Sequence, residues 1–458
     1  MTALPPLTCF KAYDIRGRLG DELNEEIAYR IGRAFAEVMG ARRVVLGRDV
    51  RPTSEALADA VAKGLMEAGV EVLDLGLSGT EETYFAVTHL GADGGICVTA
   101  SHNPMDYNGM KMVKAGSAPI GKADGMAAIK ALAESGAFAQ ARPGGTVTDA
   151  SATRAAYVGK LMDFVDVSAL TPLKVLVNAG HGAAGPTFDA IADALAARGA
   201  PIDFVRVYHD PDGSFPAGIP NPLLDENQPL TADPVVAEGA DMGVAWDGDF
   251  DRCFFFDHEG GFVPGEYVVA LLAAAFLAKE PGQKIVHDPR VIWATQSIVA
   301  EMGGEAIQSK CGHSFIKQVM RETGAVYGGE MSAHHYFRDF MACDSGMIPM
   351  LLMIELVCRR GESLKDILSG IRAAYPSSGE VNFRVADQAA VIARIEAQYG
   401  PRAEARDETD GLSLSFGDWR FNLRASNTEP LLRLNIEARG KPELVAAKLA
   451  EMRALIEA

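Results

Sequence analysis

Four stretches of this chain carry side chains whose types and spacing suit chemistry. In Val98-Thr99-Ala100-Ser101-His102-Asn103-Pro104 a hydroxyl and an imidazole stand side by side, and Lys111 follows just after the Asn108-Gly109 turn. A hydroxyl, an imidazole and an ammonium thus sit close together at the end of a strand, where open α/β sheets place their ligands; an ordinary polar turn is the bland alternative. Asp247-Gly248-Asp249-Phe250-Asp251-Arg252 sets three carboxylates at alternate positions, which an extended backbone would point to one side. Unpaired, they would repel one another, so a divalent cation is expected, and hard oxygen ligands suit Mg²⁺. An EF-hand is excluded, because Arg252 and His258 stand where that loop needs Gly and Glu. Gly248 is expected to allow close approach to the ion, and Arg252 to offer a fixed fork to a phosphoryl group.

In Tyr327-Gly328-Gly329-Glu330-Met331-Ser332-Ala333-His334-His335, a Gly-Gly turn presents Glu, Ser and His. That set suits hydrogen bonding to sugar hydroxyls, since one carboxylate accepts two at once; a satisfied loop network is the alternative. In Arg424-Ala425-Ser426-Asn427-Thr428-Glu429-Pro430 a guanidinium, two hydroxyls, an amide and turn N–H groups converge as an oxyanion cradle, with phosphate as the expected guest. A rival signal is Gly180-His181-Gly182-Ala183-Ala184-Gly185, a GxGxxG string between strand and helix, with Asp203 near the spacing of a ribose-binding acid. It keeps a nucleotide-dependent dehydrogenase in play. Otherwise the glycines let the turn pass close beneath a neighbouring element.

The elements that must position these groups follow from periodicity. Gly94 to Val98 reads as a buried strand that delivers Ser101 into its loop, and Met242 to Trp246 as one running into the aspartates. Around the first lie helices over 23–39, 54–68 and 81–90 and strands over 43–47 and 70–75, the pattern of a parallel sheet covered on both faces. Asp14 and Arg16 read as a local ion pair. A Gly/Ala/Ser-rich stretch, 136–151, reads as an interdomain linker. The pattern then restarts with strands over 173–177 and 202–207 around a helix over 186–198. A third round follows, with helices over 266–277, 290–302 and 315–322 and strands over 284–287 and 306–309. From Pro376 alternation takes over: strands over 381–385, 412–416, 419–423 and 432–436, flanked by helices over 388–397 and 442–456, form an antiparallel sheet.

With 458 residues, 48% of them hydrophobic, the chain has room for several packed domains. A net charge of −18 argues against nucleic acid and anionic membranes as partners. Any bound phosphate must therefore be met by local cations, backbone N–H groups or a metal. Six scattered cysteines without a CxxC pair fit reduced core thiols. The N-terminus lacks the features of a signal peptide, and the apolar run from Tyr267 to Leu277 is shorter than the ~20 residues that span a bilayer. A cytoplasmic setting is expected.

Together these motifs resemble those of the α-D-phosphohexomutases, in that family's order and over nearly the whole chain, closest to its bacterial phosphomannomutase/phosphoglucomutase branch. The resemblance implies an α/β fold of three similar mixed α/β domains plus a smaller C-terminal α+β domain around a central cleft. The segments would be 1–150 (phosphoserine loop), 151–257 (metal loop), 258–374 (sugar loop) and 375–458 (phosphate loop). It implies Ser101 as the phosphoserine, with His102, Lys111 and Arg252 in the transfer site. Asp247, Asp249 and Asp251 match the Mg²⁺ ligands, with a phosphoserine oxygen from Ser101 as a further ligand. Glu330 and Ser332 match the sugar-binding pair, and Arg424, Ser426, Asn427 and Thr428 the phosphate loop. Tyr13, Arg16, Arg290, His313 and His334 match other cleft residues. Arg290 stands where many relatives have lysine, which favours an electrostatic role over proton transfer. Ala333-His334-His335 replaces a common Gly-His. The Glu-Met-Ser form favours glucose or mannose phosphates. The implied activity is mannose 6-phosphate ⇌ mannose 1-phosphate, with glucose phosphates also used, through a hexose 1,6-bisphosphate, in a monomer or homodimer. A phosphatase or a non-catalytic sugar-phosphate sensor are the other readings.

Overall fold

The computed structural model describes residues 4–11, 13–425 and 431–458. The chain divides into two compact units, Met1–Phe262 with Asp339–Gly361, and Val263–Arg338 with Glu362–Ala458.

In the first unit, one sheet runs in the order Ile15–Arg18, Tyr107–Lys114, Gly94–Val98, Arg43–Arg48, Glu71–Leu77, Thr146–Asp149. Arg43–Arg48 lies parallel to both of its neighbours, whereas Tyr107–Lys114 runs antiparallel to Gly94–Val98. Gly94–Val98 is buried at every position, as expected of a strand covered on both faces. The helix Glu25–Met39 begins where the Asn24 side chain accepts the Ile27 N–H and ends at Gly40, which adopts φ 62°. The stretch expected to be a linker departs from that reading. Within it Thr146–Asp149 pairs with Glu71–Leu77 as a parallel edge strand. All four of its residues are exposed, so no buried face left a period-two signal to read.

A second sheet of this unit places Cys253–Asp257, Met242–Trp246, Leu173–Asn178 and Ile202–Val207 side by side. Between Leu173–Asn178 and the helix Ala184–Ala197 lies the glycine string, and packing accounts for it. A Cβ on Gly185 would fall 2.1 Å from the His209 carbonyl oxygen, and one on Gly182 2.9 Å from that of Gly248. The Ala183 N–H donates to Gly248 O at 3.0 Å, so this turn supports the aspartate loop. Asp203 is exposed. Gly185→Ala should therefore lower stability by about 1–3 kcal/mol, read as a lower melting temperature. An unchanged melting temperature would contradict the packing account.

Periodicity missed the helix Met347–Arg360, which belongs to the first unit. Most of its residues are buried, so it has no polar face to betray its period. The Trp246 indole N–H donates to Gly346 O at 3.1 Å just before it.

In the second unit, one sheet contains Glu305–Gln308, Lys284–His287, Tyr327–Gly329 and His335–Phe337 in that order. The helix expected over 290–302 is shorter, Trp293–Glu301. Asp288 accepts the Arg290 N–H at 2.9 Å and forms a turn there instead. The last sheet is antiparallel throughout, in the order Ser377–Arg384, Leu431–Ala438, Trp419–Ala425, Leu412–Ser415, Ala405–Asp407. Phe421, Leu423, Leu432, Leu434 and Ile436 pack on one core with residues of the helices Gln388–Tyr399 and Pro442–Glu457. Among the described residues, no helix is long and apolar enough to cross a membrane. All six cysteines are free thiols, five of them buried.

Candidate active site

Ser101 follows the buried strand Gly94–Val98 and is itself buried, with φ 50°, a left-handed conformation that a non-glycine residue holds only when its surroundings impose it. The surroundings are specific. The Arg51 guanidinium donates to four carbonyl oxygens of this loop: Ser101 at 3.1 Å, Asn103, Pro104 at 2.9 Å and Tyr107 at 3.1 Å. Asp49 accepts the Arg51 N–H at 3.0 Å, and the Ser101 N–H donates to Thr99 Oγ1 at 2.9 Å. Sequence reasoning passed over Arg51 and Asp49; their signal was a buried-type Asp-x-Arg at the end of the neighbouring parallel strand Arg43–Arg48. Arg16 fixes the same loop by donating to Thr99 O at 2.8 Å, and its expected ion pair with Asp14 is present at 3.2 Å. Tyr13 lies half-buried just ahead of the strand Ile15–Arg18.

The Ser101 hydroxyl donates to Asp247 Oδ2 at 2.6 Å and lies 2.9 Å from His102 Nδ1. Burial, reinforced by the Arg252 cation, pushes the His102 imidazole down to about 4 and holds it neutral at pH 7. Arg252 Nε lies 3.7 Å from Asp247 Oδ2. The three aspartates converge, but not on extended backbone as expected. Residues 247–252 form a tight loop between Met242–Trp246 and Cys253–Asp257, with Phe250 at φ 47° and its N–H donating to Asp247 O. A further correction concerns Gly248. A Cβ there would lie 2.6 Å from the Ser101 carbonyl oxygen, so its glycine seats the aspartate loop on the serine loop. Thr80, which sequence reasoning missed, donates its hydroxyl to Asp249 Oδ2 at 2.6 Å.

Asp247, Asp249 and Asp251 are buried, and one oxygen from each lies within 4.8 Å of the others. Lys111 Nζ donates to Asp249 Oδ2 at 2.7 Å and to Asp251 Oδ2. Burial lowers the lysine's pKa, but Asp249 and Asp251 outweigh it and hold the pKa well above that of free lysine. Burial raises and Lys111 lowers the Asp249 pKa, and the lysine wins, so this carboxyl stays ionised. Asp249 Oδ1 is buried and has no hydrogen-bond partner among the described residues. Three hard-oxygen donors, one with a buried atom that has no hydrogen-bond partner among the described residues, fit a divalent cation of the Mg²⁺ type.

In the second unit Glu330 is buried, its carboxylate accepting the Gly312 N–H at 2.6 Å and the Tyr336 hydroxyl at 3.1 Å. His313 opens the helix His313–Thr323 next to Gly312. Ala333 adopts φ 69°, a left-handed conformation that costs a non-glycine residue strain. Of the two histidines beside it, His335 is a core residue, its Nδ1 2.7 Å from the Tyr327 hydroxyl. Burial pushes it down to about 3, so it folds neutral, whereas the unfolded chain takes a proton near pH 6.5. Stability present above pH 6.5 is therefore lost as pH falls towards 3. At pH 5 this one residue should cost about 2 kcal/mol, seen as a lower urea midpoint than at pH 7. His334, its neighbour, is buried as well. Arg290 donates to Asp288 Oδ2 at 2.8 Å and to Ser332 Oγ at 3.3 Å. Burial opposes its charge, but Asp288 dominates and keeps it a permanent cation. Arg424 donates to Glu380 Oε2 at 2.8 Å. Ser426, Asn427 and Thr428 lie outside the described residues.

With that geometry established, the chain was compared with known proteins. It matches, over residues 8–140, 155–261, 264–375 and 380–455, alpha/beta/alpha domains I, II and III and the C-terminal domain of phosphoglucomutase/phosphomannomutase. The chain belongs to the phosphoglucomutase/phosphomannomutase family. It is 58% identical to a phosphomannomutase of Salmonella montevideo over 98% of this chain and 99% of that one. It is 54% identical to a phosphomannomutase of Escherichia coli K12 with the same coverage. A crystal structure of a phosphoglucomutase/phosphomannomutase family protein from Burkholderia thailandensis superposes with a TM-score of 0.87 at 32% identity, covering 100% of this chain and 98% of that one.

Proposed function

We propose that the protein is a phosphomannomutase, interconverting mannose 6-phosphate and mannose 1-phosphate and acting also on the glucose phosphates. The observation that carries this reading is the buried Ser101 hydroxyl bound to Asp247, beside His102, in a chain whose full-length relatives bear that name. Resting enzyme carries phosphate on Ser101 and donates it to the free end of a hexose phosphate. The resulting hexose 1,6-bisphosphate turns over, and Ser101 takes back the other phosphate. The four segments 1–150, 151–257, 258–374 and 375–458 then supply phosphoserine, metal, sugar and phosphate loops.

Phosphoryl transfer asks the protein chiefly for positioning and charge neutralisation. Asp247, Asp249 and Asp251, with a phosphoserine oxygen, would hold Mg²⁺, which when bound supplies a Lewis acid for the phosphoryl oxygens. Asp247, which accepts the Ser101 hydroxyl, and neutral His102, 2.9 Å from it, are the groups within reach to take its proton on phosphorylation and return it on dephosphorylation. Lys111 stays charged and, with Arg252 and Arg16, offsets the charge of the transferring group rather than abstracting protons. Tyr13 contributes contact surface beside Arg16. Glu330, Ser332, His313 and His334 bind sugar hydroxyls, and Arg290 acts electrostatically. Arg424, Ser426, Asn427 and Thr428 hold the phosphate that is not reacting, so that the reacting hydroxyl is presented in line. A cytoplasmic setting suits these substrates and the free thiols.

The test is an assay of mannose 1-phosphate and glucose 1-phosphate, primed with hexose 1,6-bisphosphate and Mg²⁺. The expected result is conversion of both to their 6-phosphates. Release of inorganic phosphate without isomerisation would make the protein a phosphatase, and binding without turnover a sensor.

A further inference from the structure

On the second unit's antiparallel sheet, Arg424 and Arg433 stand directly opposite each other on neighbouring strands. Facing like charges destabilise a sheet unless an anion lies between them. Glu380, on the next strand, provides it. Its Oε2 accepts from Arg424 at 2.8 Å and lies 3.5 Å from Arg290 Nη1, and its Oε1 lies 3.4 Å from Arg433 Nη1. Arg290 and Arg424 are only 5% and 8% exposed, and the Nε of each lacks a hydrogen-bond partner among the described residues. With Asp288 on Arg290, three guanidiniums meet two carboxylates among the described residues.

We infer that Glu380 is an internal stand-in for a phosphate oxyanion: it holds Arg424 and Arg290 ready in the absence of substrate and yields Arg424 to the phosphate when substrate binds. This rests on the mutase reading, and it answers a problem that reading creates. A bisphosphate that must exchange its two ends has to be released as readily as it is gripped. Two buried arginines, with Asp288 on Arg290 but no anion competing for Arg424, would bind a dianion too firmly to let it turn. The Glu380 carboxylate, kept ionised because the guanidiniums of Arg290, Arg424 and Arg433 outweigh its burial, competes for the same donors and weakens the grip. Glu380 is thus a positioning residue that acts through Arg424, with no bond to the reacting atoms.

Titration calorimetry of the full chain with inorganic phosphate reads this directly. Glu380→Gln should bind phosphate roughly tenfold tighter than wild type, and in the mutase assay both KM and kcat should fall, because the bisphosphate leaves more slowly. Glu380→Asp, which keeps the charge, should stay near wild type on all three readouts. Unchanged or weaker phosphate binding by Glu380→Gln would overturn the inference. Should that variant fold poorly, a structure of the wild-type protein with phosphate decides: the Arg424–Glu380 hydrogen bond should open, and its persistence beside a bound phosphate would overturn the inference. A wild-type protein that binds phosphate but shows no mutase turnover would sink the functional reading, while the calorimetry still reports on Glu380.

Discussion

Ser101→Ala is expected to abolish phosphorylation of the enzyme and to lower mutase turnover by on the order of 10⁴-fold or more, with little change in melting temperature. In the proposed cycle the Ser101 oxygen carries the phosphoryl group in both half-reactions, as leaving group when a sugar hydroxyl takes the phosphate and as nucleophile when the serine takes one back, so neither His102 nor the aspartates can act in its place. Alanine removes one oxygen from a loop whose backbone is held by Arg51, Arg16 and Thr99, none of which bonds the Ser101 hydroxyl. The variant should therefore fold normally and still bind hexose phosphate. Wild-type turnover in Ser101→Ala would remove the covalent step.

The second large effect is expected at Asp249. Its Oδ2 already accepts from Lys111 and Thr80, while its buried Oδ1 has no partner among the described residues. Asp249→Asn removes one of the two charges that hold Lys111 protonated and leaves an amide in place of a hard anionic ligand. Turnover should drop by at least about 10²-fold, and the Mg²⁺ concentration for half-maximal activity should rise. In the wild type, EDTA should silence activity and added Mg²⁺ should restore it. Full activity in excess EDTA would contradict a metal site at these aspartates.

The fold was legible where apolar residues alternate with polar ones. The helix Glu25–Met39 and the C-terminal strands are readable because apolar and polar residues recur along each with its own period, as in Phe421-Asn422-Leu423. Thr146–Asp149, exposed throughout, and Met347–Arg360, buried almost throughout, lack that contrast and were missed. The site was legible as residue types rather than as geometry. Three aspartates two residues apart do signal a shared charge problem, but what brings them together is a turn through Phe250 at positive φ. The glycine string misdirects for the same reason. Gly182 and Gly185 are small because Gly248 and His209 press on them, and a contact between residues far apart in sequence leaves no local pattern. Arg51, Thr80 and Glu380 were invisible as site residues because each acts by holding another group.

Peptide mapping of the purified wild-type protein after incubation with a labelled hexose 1,6-bisphosphate tests the central claim most directly. The label should reside on Ser101 alone and should pass to hexose phosphate added afterwards. Mutase turnover with no label on Ser101, or with label on another residue, would contradict the account.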